Sequence, residues 1–245
     1  MNPKVFREYD IRGVADRDLD DAGVRDLGRA IGTHLVRAGA KRIALGRDCR
    51  LTSPRLHAAL LEGLLGTPLT VIDVGIVPTP VLYYAPFHFE LDGGVQITGS
   101  HNPPEDNGFK ILRGKSTIHG DEIQALARLI ASRDFISGKG TREEAEVVRP
   151  YIEHAKNHLV LGNRRPKVVV DAGSGVGGFV ALPLYRELGF EVVPLYCEMD
   201  GAFPHHHPDP TVEANVADLK TTLTKEHAQV GIALDGDADR VIFCD

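Results

Sequence analysis

Apolar residues recur as Val24, Leu27, Ile31 and Leu35 between Asp21 and Ala38, a spacing that predicts an amphipathic helix. The pattern then changes to short apolar runs, with Arg42 to Gly46 reading as a buried strand and Leu69 to Val74 as the next. Between them, Ser53-Pro54 predicts a helix through Leu64, serine capping the free amides and proline suiting the first turn. Val77-Pro78-Thr79-Pro80 breaks the chain before Val81 to Phe87, and Gly94 to Ile97 is a further apolar run. Ser132 to Glu146 is polar and glycine-containing, and reads as a surface connection.

The alternation then starts again. Arg149 to Leu161 predicts a helix, Lys167 to Asp171 a strand, Gly178 to Leu188 a helix and Glu191 to Tyr196 a strand. Glu213 to His227 predicts another helix, and Val230 to Leu234 and Val241 to Phe243 further strands. Strands alternating with helices predict an α/β chain of two consecutive three-layer α/β/α domains with mainly parallel, mixed sheets. The expected domains are residues 1–147 and 148–245, a coarse structural repeat with negligible sequence identity between its halves.

Composition narrows the function classes. The chain has 245 residues, 42% hydrophobic and 25% charged, with no run long enough to span a membrane. A net charge of -6 with interspersed signs argues against nucleic acid as a partner. Met1 to Arg7 lacks a signal-peptide apolar core, so a cytoplasmic location is expected. Cys49, Cys197 and Cys244 form no CxxC pair, and read as reduced, mostly buried thiols.

Ligands of open α/β sheets gather outside the carboxyl ends of the strands, and two loops meet that condition. Thr98-Gly99-Ser100-His101-Asn102-Pro103-Pro104 follows one strand and offers a hydroxyl nucleophile on a proline-stiffened loop, which Asn102 can hold in its turn. Lys110 follows ten residues after Ser100, a cation for phosphate or, beside other cations, a general base; His101 can orient a proton transfer. Asp235, Asp237 and Asp239, separated by Gly236 and Ala238, can turn toward one hard cation such as magnesium, with Arg240 beside them. A serine nucleophile and a hard-metal loop together suggest phosphoryl transfer. Gly173-Ser174-Gly175-Val176-Gly177-Gly178 also matches a dinucleotide-binding turn, with Glu198 in the place of the ribose-binding acid. The same glycines serve close strand–helix packing equally well. His205-His206-His207, between prolines, reads as a structural loop.

The chain resembles the α-D-phosphohexomutase family, in its bacterial-type phosphomannomutase/phosphoglucomutase branch. The resemblance rests on Phe6 to Gly13, Thr98 to Pro104, Asn107-Gly108-Phe109-Lys110, Asp171 to Gly178, Phe203 to Pro210 and Asp235 to Arg240, in that order. It implies Ser100 as the phosphoserine and Lys110 as general acid/base, with His101 and Arg12 assisting. It also implies one Mg²⁺ held by Asp235, Asp237, Asp239 and a phosphoserine oxygen. Tyr9, Arg240 and Asn102 would serve substrate or phosphate. The implied reaction interconverts hexose 6-phosphates and 1-phosphates through a 1,6-bisphosphate, with glucose 1,6-bisphosphate as activator.

Family members continue into a third domain with a sugar-reading loop and a fourth with a phosphate-binding loop, and neither pattern occurs here. The expectation is therefore a form lacking domains 3 and 4, with hexose phosphates as substrates, the missing C-terminal domains as partners and negligible turnover alone. The competing readings are a haloacid-dehalogenase-like phosphotransferase with Asp235 as nucleophile, and a nucleotide-binding module.

Overall fold

The computed structural model describes residues 1–245. In chain order the elements are Ile11–Val14 (β1), Ala15–Asp18 (α1), Asp21–Arg37 (α2), Arg42–Arg47 (β2), Ser53–Leu65 (α3), Thr70–Ile76 (β3), Thr79–His88 (α4), Gly93–Ile97 (β4), Asp106–Arg113 (β5), Ser116–Thr117 (β6) and Asp121–Ser132 (α5). They continue with Thr141–Glu144 (β7), Val148–His158 (α6), Val168–Asp171 (β8), Gly178–Glu187 (α7), Val192–Leu195 (β9), Ala217–Lys225 (α8), Val230–Leu234 (β10) and Val241–Cys244 (β11).

Two sheets result. The first runs β1-β5-β4-β2-β3-β7, with β6 beside β5, and the second β11-β10-β8-β9. β4, β2, β3 and β7 are parallel, as are β10, β8 and β9, while β5 and β11 lie antiparallel to their neighbours. The order β5-β4-β2-β3 in the first sheet therefore returns as β11-β10-β8-β9 in the second. The repeat expected from the sequence is real at the level of topology.

The apolar periodicity is spent on packing. Val24, Leu27, Ile31 and Leu35 of α2 and Leu56, Leu60 and Leu64 of α3 cover one face of the first sheet. Each such side chain, fully enclosed, contributes about 1.5–3 kcal/mol. The opposite face, with Ala44 and Ile72, is covered by Val81, Leu82 and Ala85 of α4, and Ile152 of α6 and Val180 of α7 join that same cluster. One continuous apolar layer thus binds the two sheets' territories together. In the second sheet Val169 and Ala233 face α8, and Val168, Val170 and Ile232 face α7.

Several local expectations are corrected. The stretch expected as a surface connection contains β7, an edge strand whose Thr141-Arg142-Glu143-Glu144 is exposed throughout and so carries no apolar signature. Ser53 does not cap α3; its hydroxyl turns to the buried Asp48 carboxylate, and Thr52 occupies the cap without a side-chain bond to the helix amides. Pro80 opens α4 rather than merely breaking the chain. The helix expected from Glu213 begins as a 3₁₀ turn, Glu213–Val216, and is α-helical only over α8.

Candidate active site

The loops after β4 and β10 occupy equivalent places in the two sheets, and they meet. Ser100 is buried, with φ at 51°, a left-handed backbone that non-glycine residues adopt only where their surroundings hold it. Its hydroxyl donates to Asp235 Oδ2 at 2.8 Å, across 135 residues of sequence. His101 Nδ1 lies 3.2 Å from the Ser100 hydroxyl oxygen. One hydroxyl proton cannot serve both, so with Asp235 as its acceptor the imidazole donates from Nδ1. Burial first, then Arg240 and Arg12, hold the His101 pKa below its ordinary value, which favours that neutral form.

The three carboxylates converge, one oxygen of each lying within 4.8 Å of the others. Burial, with Asp237 and Asp239 nearby, pushes the Asp235 carboxyl up to about 7. Its Oδ1 accepts the backbone amides of Asp239 and Arg240 at 3.0 and 3.1 Å, which orients it. Asp237 is fully enclosed; burial opposes its charge, yet Lys110 holds its pKa below the usual carboxylate range. Thr79, from the first half, donates its hydroxyl to Asp237 Oδ2 at 2.6 Å and its amide to the Asp237 carbonyl. Asp237 Oδ1 is buried without a partner. Three close carboxylates with an orphaned buried oxygen fit a hard divalent cation, which takes oxygen ligands.

Lys110 Nζ sits 2.7 Å from Asp237 and 2.5 Å from Asp239. The neighbours that would strip its proton were expected to be cations; they are carboxylates. Burial opposes the charge, but the two anions hold the lysine above its ordinary pKa. Arg12 is buried, donating to Asn102 Oδ1 at 2.7 Å and Gly99 O at 3.3 Å and pairing with Asp10 at 2.6 Å. Asn102 spends both ends of its amide on Arg12 of β1 and Asp106 of β5, so it braces the turn between them. Tyr9, 76% exposed, stands at the rim.

A cleft of about 250 Å³ is lined by Tyr9, Asp10, Arg12, Tyr83, Ser100, Lys110, Thr117, Ile118, Asp239 and Arg240. A larger cavity of about 700 Å³ opens beyond β3 and β7, but none of the residues proposed from sequence lines it.

Sequence reasoning missed Thr79 and Tyr83, whose places depend on how α4 meets the second sheet, and Asp48 and Arg50 beneath the serine loop. Asp48 directly follows β2, so the strand-end rule applied to every strand would have found it. The glycine-rich turn is a packing device. A Cβ on Gly175 would lie 2.6 Å from Gly236 O, and one on Gly236 2.6 Å from Ser100 O, so these turns stack on the nucleophile loop. Glu198 is exposed. His206 meets Asp171 at 3.1 Å and His205 stacks on Tyr196 at 3.9 Å between ring centroids, in keeping with a structural loop.

Comparison with known proteins gives the site a family. Residues 3–137 match the model of phosphoglucomutase/phosphomannomutase α/β/α domain I, and residues 149–245 that of domain II. A phosphomannomutase/phosphoglucomutase of Pseudomonas aeruginosa is 45% identical over 237 residues, 97% of this chain and 51% of the relative. A phosphoglucomutase of Neisseria gonorrhoeae is 43% identical over 240 residues, covering 97% of this chain and 52% of the relative. The crystal structure of a phosphoglucomutase/phosphomannomutase family protein from Burkholderia thailandensis superposes with a TM-score of 0.95 at 40% identity, covering 99% of this chain and 55% of that one. The chain spans about half the length of the curated relatives it matches. With both domain models matched in order along nearly its whole length, the chain belongs to the phosphoglucomutase/phosphomannomutase family.

Proposed function

We propose that this chain carries the phosphoryl-transfer half of a phosphohexomutase, interconverting hexose 6-phosphate and hexose 1-phosphate through a 1,6-bisphosphate. The observation that carries this reading is the Ser100–Asp235 hydrogen bond of 2.8 Å, which sets a hydroxyl nucleophile against a carboxylate cluster suited to a cation. Phosphoryl transfer needs positioning and charge neutralisation more than covalent chemistry from the protein. Asp235, Asp237 and Asp239 would hold one magnesium ion, which supplies charge neutralisation at phosphoryl oxygens when bound.

The chain's own groups divide the rest. Ser100 accepts the phosphoryl group as its hydroxyl proton passes to Asp235 Oδ2, its hydrogen-bond acceptor, and takes the proton back when it returns the group. His101 Nδ1 orients the serine oxygen. Lys110, charged between Asp237 and Asp239, enters as the acid and gives its proton to the sugar oxygen that leaves; in the reverse direction it takes one back. Arg12 and Arg240, at the cleft, contact phosphate, and Tyr9 the sugar. Asp235 serves the cation and the Ser100 hydroxyl rather than attacking phosphorus, since two backbone amides fix its Oδ1 and its Oδ2 faces Ser100.

We further propose residues 1–147 and 148–245 as the two domains, glucose 1,6-bisphosphate as activator and a cytoplasmic setting. Free cysteines at 49, 197 and 244 support the last, and no helix is long and apolar enough to cross a membrane. Most sugar recognition would lie in the further length that the relatives possess, so these 245 residues alone should give negligible mutase turnover. The test is intact-mass spectrometry before and after glucose 1,6-bisphosphate with magnesium. One added phosphate, absent in Ser100→Ala, is expected. Phosphate that persists in Ser100→Ala, or acid-labile phosphate released by hydroxylamine, would overturn the assignment of the nucleophile.

A further inference from the structure

We infer that Arg50 is the positioning residue of the nucleophile loop, and that through it the second domain sets the conformation in which Ser100 is presented. The inference rests on the proposed phosphoserine role of Ser100. Arg50 is fully buried, an unusual place for a guanidinium, and its two terminal nitrogens are spent on the backbone of one loop. Nη2 donates to the carbonyls of Ser100 and Asn102, both at 2.7 Å. Nη1 donates to those of Pro103 and Asp106, at 2.5 and 3.0 Å. Nε lies 3.3 Å from Asp48 Oδ2, an ion pair without a hydrogen bond, and the same carboxylate accepts the Gly99 amide at 3.2 Å.

Four carbonyls turned inward create a demand that few side chains meet. A planar fork of donors satisfies them together, whereas a lysine ammonium offers three donors from a single point. The fit is close: a Cβ on Gly99 would lie 2.5 Å from the guanidinium carbon. Ser100, next along the chain, holds its φ of 51° within this cage.

The cage is closed from the other domain. The guanidinium lies 5.0 Å from the centre of the Phe203 ring, within range of a cation–π contact. Arg50 also forms an isolated parallel bridge with Gly201. A Cβ on Gly201 would lie 2.3 Å from Cys49 O, so the two backbones touch. Arg50 lies behind the loop, away from the cleft lining, and acts through Ser100 rather than on the reacting phosphate.

The test follows phosphate transfer from glucose 1,6-bisphosphate with magnesium by intact mass over time, in this chain, Arg50→Lys and Phe203→Leu. A misplacement of about 1 Å costs about 100-fold in rate, so Arg50→Lys should transfer about 100-fold more slowly. Its final phosphate content and its half-saturating donor concentration should be unchanged. Phe203→Leu, which removes the aromatic face, should slow transfer by up to about tenfold. Amide hydrogen exchange of residues 98–106 should quicken in both variants while that of 230–234 stays constant.

A reduced final phosphate content at an unchanged rate constant would mark a folding role only and overturn the inference. So would exchange that quickens alike everywhere or not at all. Should Arg50→Lys fail to fold, Phe203→Leu decides. Should the unmodified chain take no phosphate, the functional reading falls, and exchange at 98–106 still decides the role of Arg50.

Discussion

The serine loop and the carboxylate loop hold the same place in two sheets of the same order, each between a parallel strand and its antiparallel neighbour. They are held in opposite ways. The carboxylate loop largely supports itself: Asp235 caps the amides of Asp239 and Arg240, and its strain is electrostatic, three acids of which two are paired with one lysine. The serine loop is longer and turns its carbonyls inward, where Arg50 and Asp48 hold it from below. One loop waits for charge; the other is built in advance. Such a division suits phosphoryl transfer, which needs a nucleophile that does not move and a site that gains charge neutralisation on binding.

The comparison breaks if both loops respond alike to magnesium. The largest effect should come from Lys110→Met, which leaves Asp237 buried and unpaired; losing one partner of such a pair costs about 3–5 kcal/mol. In urea unfolding with a chelator that loss should appear in full, and saturating magnesium should recover much of it. Asp48→Asn breaks the buried pair with Arg50 at a similar cost, and magnesium should recover none.

The metal itself gives the next effect. Magnesium at about 100 times its Kd should stabilise the unmodified chain by about 2.7 kcal/mol, and Asp237→Asn should lose most of that gain. The sign of the pH dependence follows from Asp235. Its folded pKa of about 7 lies above the unfolded value, so its contribution is full below about pH 4 and falls away as pH rises to about 7. Chelated protein should therefore lose stability across that window, and Asp235→Asn should flatten the slope in denaturant titrations.

A smaller change sharpens the contrast. Thr79→Val removes one hydrogen bond to Asp237 and should cost about 1–2 kcal/mol in the chelated chain, read by urea midpoint. The smallest effect concerns the loop behind both sites. Burial opposes the charge on His206, but Asp171 and the His207 carbonyl hold its pKa above the ordinary value. That contribution is complete below about pH 6.5 and is lost as pH rises through the raised pKa, so His206→Gln should lower the melting temperature more at pH 6 than at pH 9.

Much of this was legible in the residues. The apolar spacing of α2, the short runs of β2 and β8 and the strand-end positions of Ser100 and Asp235 all follow from local pattern. β7 was not legible, because an exposed edge strand has no face to bury and so no alternation to read. Ser53 was misread because a buried carboxylate five residues earlier in the chain captured its hydroxyl. Arg50 carries no local signal, since nothing in its neighbours announces that a distant loop will turn its carbonyls toward it.

The sequence alone therefore determined the layers, the repeated strand and helix order and the chemical types at the strand ends, because each depends on residues within a few positions of one another. Only the tertiary structure decided that Ser100 meets Asp235, that Lys110 lies between carboxylates, and that Arg50 is shared by two domains. Those contacts join segments roughly 130–150 residues apart, and they exist because an apolar layer from α4, α6 and α7 docks one sheet against the other.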